Sequence, residues 1–122
     1  MDLDGLISYC AIKPGVEETF PFDDQILVFK VMGKMFAACN ITEEPVRVNL
    51  KCNPEWAIEL RDEFPEILPG YHMNKKHWNT VIISEGQLEQ SLILKMIDHS
   101  YDLVVKSLTK AKKLELEELK TK

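Results

Sequence analysis

Three cysteines in 122 residues, none of them in a Cys-x-x-Cys pair, give this chain no means of building a disulfide scaffold or a zinc module. Cys10, Cys39 and Cys52 are odd in number and far apart, the pattern of reduced thiols in a cytoplasm. Cys39 lies in an apolar run and reads as a small buried hydrophobe. Long apolar runs are missing as well. None approaches the roughly 20 residues that a membrane span requires, and the opening Met1-Asp2-Leu3-Asp4 is acidic where a secretory signal is basic. No membrane partner is expected. A basic balance is the third absence: 15 Lys and Arg stand against 20 Asp and Glu, a net charge of -5. A nucleic-acid binder usually declares itself by positive charge, so any such binding here must use a local patch.

What is present is ordinary for a soluble globular protein, with 45% hydrophobic and 29% charged residues. The length suits one core and not two. Residues 1–110 read as a single domain, and 111–122 as a charged, Glu- and Lys-rich tail that is frayed or helical at best. The charge is uneven. Asp2, Asp4, Glu17, Glu18, Asp23 and Asp24 face Lys13 alone, whereas residues 69–83 hold Lys75 and Lys76 and no acid.

Leu3, Leu6, Ile7 and Cys10 recur at helical spacing, with acids near the start, and Lys13-Pro14-Gly15 ends that helix. Gly15 to Asp24 reads as loop. Gln25 to Val31 and Met35 to Asn40 form a hairpin around Met32-Gly33-Lys34. From Val46 to Lys51 apolar and polar residues alternate, predicting a strand with one dry and one wet face. Asn53-Pro54-Glu55 starts a helix, with Trp56, Leu60 and Phe64 as its buried stripe and Pro65 as its stop. Trp78 to Ser84 reads as a fourth strand, and Leu88 to about Thr109 as one long helix or two that break near Asp98. On it Leu92, Met96, His99 or Ser100, Leu103 and Ser107 share a face, adjoined by Ile93, Ile97, Val104 and Leu108. Consecutive hairpins with helices around them predict an α+β fold: an antiparallel sheet with helices packed on one face.

One segment stands apart. Pro69-Gly70-Tyr71-His72-Met73-Asn74-Lys75-Lys76-His77-Trp78-Asn79-Thr80-Val81 sets aromatic rings beside cations and amides, the residue types that hold an anion, a nucleobase or a partner protein. Lys75, Lys76 and His77 are candidates for phosphate contact, and Trp78 for stacking. Tyr71, His72, Asn74 and Asn79 support them, with Lys30, Lys34 and Arg47 as flanking cations. The plainer alternative is a solvated turn in which Trp78 is core and the amides tie down a loop.

Other chemistry finds little footing. His72 and His77, five apart, share neither a strand face nor a helical turn, so no metal site is expected from them. Glu17, Glu18, Asp23 and Asp24 form either a solvated acidic loop or a site for a hard divalent ion. Ser100 and Asp102, two apart on a helix, point away from each other. Cys52 is a reactive thiol only if it is exposed beside a cation such as Lys51. His99 reads as a half-buried histidine bonded to a neighbour. No cofactor and no catalytic residue are expected. The reading is a non-enzymatic, monomeric binding module. Its rivals are an enzyme or small-ligand binder with a pocket near Tyr71, His72 and Trp78, and a protein-interaction adaptor.

Several blocks resemble the MmcQ/YjbR family. They are Thr19-Phe20-Pro21-Phe22-Asp23, then Val28-Phe29-Lys30-Val31-Met32-Gly33-Lys34-Met35-Phe36-Ala37, then Leu50-Lys51-Cys52-Asn53-Pro54-Glu55. Pro69 to Val81 and Asp98-His99-Ser100-Tyr101-Asp102-Leu103-Val104 follow in the same order, so that the likeness runs from about Glu17 to Leu108. The Gly70 to Val81 block is the most specific of them. The resemblance implies a fold similar to that of the frataxin-like CyaY, a bacterial cytoplasmic protein, and DNA as partner. Frataxin-like proteins bind iron through acidic surface, which draws attention to the acidic N-terminal end.

Overall fold

The computed structural model describes residues 1–71 and 73–121. In chain order its elements are α1 (Leu3–Ala11), β1 (Val16–Thr19), β2 (Ile26–Val31), β3 (Lys34–Asn40), β4 (Arg47–Lys51), α2 (Pro54–Glu63), β5 (Ile67–Pro69), β6 (Trp78–Ile82), α3 (Gln90–Lys106) and α4 (Lys110–Lys120). The strands form one antiparallel sheet in the order β1-β2-β3-β4-β6-β5. The expected α+β architecture is what the chain adopts.

Local signals explain most of these elements. Asp2 caps α1 by accepting the Gly5 N–H, and Asn53 caps α2 through the Glu55 N–H with Pro54 behind it. The β2–β3 turn needs positive φ at both central residues; Met32 has φ 50° and Gly33 φ 87°, and the strand twist favours that turn. Two strands had no such signal. β1 lies where a loop was expected, and β5 lies between Pro65 and the basic segment. Both are short edges added to the sheet anticipated from the other four.

Alternation along the central strands divides the sheet. Leu27, Phe29 and Val31 of β2, Val48 and Leu50 of β4, and Val81 of β6 join Leu6 and Cys10 of α1, Ala57 and Leu60 of α2, and Ile93, Ile97 and Val104 of α3 in one core. β2 and β3 slip register between Phe29 and Lys30, leaving Phe36 as an extra residue on β3. Its ring turns into the core, 6.3 Å from Phe29 and edge-on to Tyr101 at 5.4 Å.

Three expectations are corrected. Trp56 is only half-buried, and the dry positions of α2 are Ala57 and Leu60. The long helix is unbroken through Asp98, and its buried face centres on Ile93, Ile97, Ser100 and Val104, with Met96 and Tyr101 beside them. The tail from residue 111, expected to be frayed or helical at best, is helical as far as Lys120 in α4, and what the expectation lacked is its docking: Leu116 is buried in the common core.

Candidate functional site

Among the described residues, the opposite face of the sheet carries no helix. Cross-strand pairing sets Asn49 of β4 against Thr80 of β6, and the next rung on the same face sets Lys51 against Trp78. Arg47 lies one step the other way, opposite Ile82. Arg47, Asn49 and Thr80, with Ile26 of β2 and Met35, Ala38 and Asn40 of β3, floor a cavity of about 450 Å³, and Phe22, Tyr71 and Met73 form its rim; the Lys51–Trp78 rung lies next to it and not in its lining. Ala38 and Thr80 are only 6% exposed although no helix covers them.

The expected segment builds one wall of this cavity. Gly70 donates its N–H to the Trp78 carbonyl at 2.9 Å, and a Cβ on Gly70 would lie 2.8 Å from that of Trp78, so the close crossing requires glycine. Tyr71 is then fixed through its backbone. Its N–H donates to Thr80 Oγ1 at 2.9 Å, its carbonyl accepts from Asn49 Nδ2 at 3.4 Å, and Thr80 Oγ1 donates to Asn49 Oδ1 at 2.5 Å. The turn beyond is closed by Asn74. Its Oδ1 accepts the Lys76 N–H at 2.9 Å, and its carbonyl accepts the N–H groups of His77 and Trp78. Arg61 of α2 donates to the Lys75 carbonyl at 3.2 Å. The backbone is therefore held from several sides, while the Lys75 and Lys76 side chains are exposed and make no hydrogen bond or ion pair among the described residues.

The other candidate residues separate by position. Half-buried Trp78 stands beside Lys51 on the open face rather than in the core. Half-buried His77 ties its carbonyl to the Cys52 N–H. Asn79 turns the other way; it is 1% exposed, its amide reaches the Ala57 carbonyl at 3.5 Å, and its Oδ1 has no partner among the described residues. It is a packing residue and not a surface ligand. Lys34, at the β2–β3 turn, donates to the Ser107 carbonyl at the end of α3. Arg47 pairs with Glu43 at 3.0 Å and belongs to the cavity floor, away from Lys75 and Lys76. His72 lies outside the described residues.

Sequence reasoning missed Phe22, Met35, Ala38, Asn40 and Asn49 as site residues. Asn49 was visible only as the wet side of an alternating strand. Phe22 sat in a stretch read as loop, with nothing to say which surface it would reach.

The remaining candidates are structural. Burial pushes the Cys10 thiol up to about 12 and those of Cys39 and Cys52 up to about 11, so Cys52 is no ready nucleophile. Adjacent Glu17 and Glu18 on β1 point to opposite faces, and Asp23 accepts the N–H groups of Gln25 and Ile26. Among the described residues no three His, Cys, Asp or Glu side chains converge as a metal site would need, and no helix is long and apolar enough to cross a membrane.

His99 behaves as its sequence context suggested. Its Nε2 accepts the Asn53 N–H at 3.1 Å, and its ring meets Trp56 edge-on at 4.7 Å. Desolvation by burial lowers its pKa, against an opposing pull from Asp102. A histidine held below its ordinary value of about 6.5 binds fewer protons folded than unfolded. Its contribution is present above that value and is lost as pH falls through the folded one. Denaturant melts at about pH 7.5 and about pH 5 should show less stability at the lower pH, with a smaller loss in a His99→Gln variant. Equal losses in the two proteins would rule His99 out as the cause.

These features define a small α+β domain with one sheet face under helices and the other shaped into an open cavity of mixed polar and apolar lining. The YjbR family profile matches residues 11–103, and the chain belongs to that family. It is 35% identical over 113 residues to the YjbR protein of Escherichia coli K12, covering 93% of this chain and 95% of that one. With the YbdF protein of Escherichia coli O157:H7 it shares 38% identity over 97 residues, 80% of this chain and 79% of the other. The crystal structure of Deinococcus radiodurans protein DR2400 superposes with a TM-score of 0.88 at 45% identity, covering 94% of this chain and 87% of that one. A crystal structure from Pseudomonas syringae gives 0.73 at 28% identity, covering 84% and 98%.

Proposed function

We propose that this chain is a non-enzymatic, monomeric binding module of the bacterial cytoplasm that holds DNA, as a single strand, on the open face of its sheet. The observation that carries the reading is the Lys51–Trp78 rung, with exposed Lys75 and Lys76 rising from the same strand end. Backbone hydrogen bonds at Gly70, Tyr71, Asn74, Lys75, Lys76, His77 and Trp78 tie the segment to the fold without using the Lys75 and Lys76 ammonium groups. Cations beside a half-buried indole on an open sheet face suit a strand whose phosphates are neutralised and whose bases stack. The architecture supports the reading, with the helices on one face of the sheet and a cavity on the other. Three unpaired, buried thiols accord with a reducing compartment.

A net charge of -5 makes such binding depend on a small patch, so it should be weak and strongly salt-dependent. The test is a fluorescence titration with an oligothymidylate at several salt concentrations, on the parent and on a Lys75→Ala/Lys76→Ala variant. The variant should bind more weakly, and its salt slope should fall by roughly 0.7 for each phosphate it no longer neutralises. Its stability should stay within about 0.5 kcal/mol of the parent, because both residues are exposed. A variant with the parent's affinity and slope would reduce the segment to a structural turn. Failure of any oligonucleotide to bind at low salt would end the nucleic-acid reading.

A further inference from the structure

We infer that the cavity on the open face receives an unstacked nucleobase, a pocket that reads the base while the lysine ridge beside it holds phosphate. The inference rests on the nucleic-acid reading for the source of the base, but the pocket's own chemistry points the same way. At about 450 Å³ it falls within the range of small-ligand sites. Its lining includes what a flat ring needs: Phe22, 74% exposed, and Tyr71 on the rim, with the thioether side chains of Met35 and Met73 also in the lining.

The floor argues against a purely apolar occupant. Arg47 gives its terminal nitrogen to Glu43, yet its Nε is buried with no partner among the described residues. The side chain as a whole is 42% exposed, and an apolar ligand would cover the part of the guanidinium still in water at a cost in affinity. A base edge presents in-plane carbonyl and ring-nitrogen acceptors that suit such a guanidinium. The Asn49 amide and Thr80 hydroxyl are already aligned by their bond to each other, so the polar floor exists before any ligand arrives. Spacing supports the division of labour. The Asn49–Thr80 rung and the Lys51–Trp78 rung are successive on one face, two residues or roughly 7 Å apart. A base over the first therefore sets its phosphate near the second.

The experiment compares a thymidine dodecamer with an abasic strand of the same length, using the full chain, a Phe22→Ala variant and an Arg47→Met variant. Phe22 is exposed, and the Arg47–Glu43 pair is a surface one, so both variants should fold. The parent should bind the intact strand about 5- to 150-fold more tightly than the abasic one, the range of one stacked base. Each variant should erase much of that preference without changing abasic binding. Equal binding of both strands by the parent overturns the pocket and leaves the phosphate ridge standing. A base preference that persists in the Lys75→Ala/Lys76→Ala variant at unchanged salt slope supports the pocket and removes the ridge. If neither strand binds, thymidine monophosphate is the remaining probe. Binding that Phe22→Ala abolishes supports the pocket with a free nucleotide as its source, and no binding overturns it.

Discussion

Replacing Leu116 with Ala should cost about 3 kcal/mol of stability, the usual range for a leucine truncated in a packed core. Its position on a lysine- and glutamate-rich segment makes that figure informative. Leu116 is 1% exposed and lies in the same core as Phe36 and Val104, whereas Leu114 and Leu119 on the same helix are largely in solvent. Its Cδ1 fills the space where a Cβ on Gly15 would stand, 2.7 Å away, and Gly15 has φ 74°. The glycine after α1 thus provides both the left-handed turn and the socket. An isolated helix as short as α4 is marginal in water, so its docking depends on that one side chain together with the Thr109 cap. Urea melts of Leu116→Ala should show the lost stability, and far-UV circular dichroism should show α4 melting. A loss below about 0.5 kcal/mol would mean that α4 lies on the domain without holding it.

That helix also shows where reading the chain reaches its limit. Elements with a local cause were legible: the Met32-Gly33 turn, the alternation of β4, the Asn53-Pro54 start of α2 and the Asp2 end of α1. Each is written in a few adjacent residues and needs no distant partner. β1 and β5 are strands only because β2 and β6 offer them open edges, as in the Met32 N–H bond to the Gly15 carbonyl. Val-Glu-Glu-Thr and Ile-Leu-Pro are too short to show a period. The docking of α4 was illegible for a related reason, since one leucine among charges acquires meaning only once Gly15 is seen to face it.

The site divides along the same line. The 69–81 segment was legible as a cluster of unusual residue types, and it forms an exposed Lys75-Lys76 turn that leads into half-buried Trp78. Asn79 was not separable from them, because strand parity sends it through the sheet to the Ala57 carbonyl. The cavity itself joins β2, β3, β4 and β6 to two rim segments, and no stretch of sequence holds enough of it to be recognised.

Ser100→Ala should destabilise the protein by about 3 kcal/mol, although it removes a single oxygen and leaves almost no void. The reason begins with the β3 bulge. Ala37 and Leu50 still pair, but the extra residue Phe36 breaks the ladder before the next rung. The Phe36 carbonyl and the Lys51 N–H are left without each other. Ser100, fully buried on α3, takes the place of the missing bond; its Oγ accepts the Lys51 N–H at 2.9 Å and donates to the Phe36 carbonyl at 2.5 Å. Alanine would strand a donor and an acceptor together, each at about 1–3 kcal/mol when buried. Ser100→Thr retains the hydroxyl and should recover part of the loss if the extra methyl is accommodated. Because Lys51 begins the ridge, the same variant should also loosen the Lys51–Trp78 rung, read as faster amide exchange at Lys51. Parent-like stability in Ser100→Ala would show that water replaces the hydroxyl, and that the helix does not bridge the broken ladder.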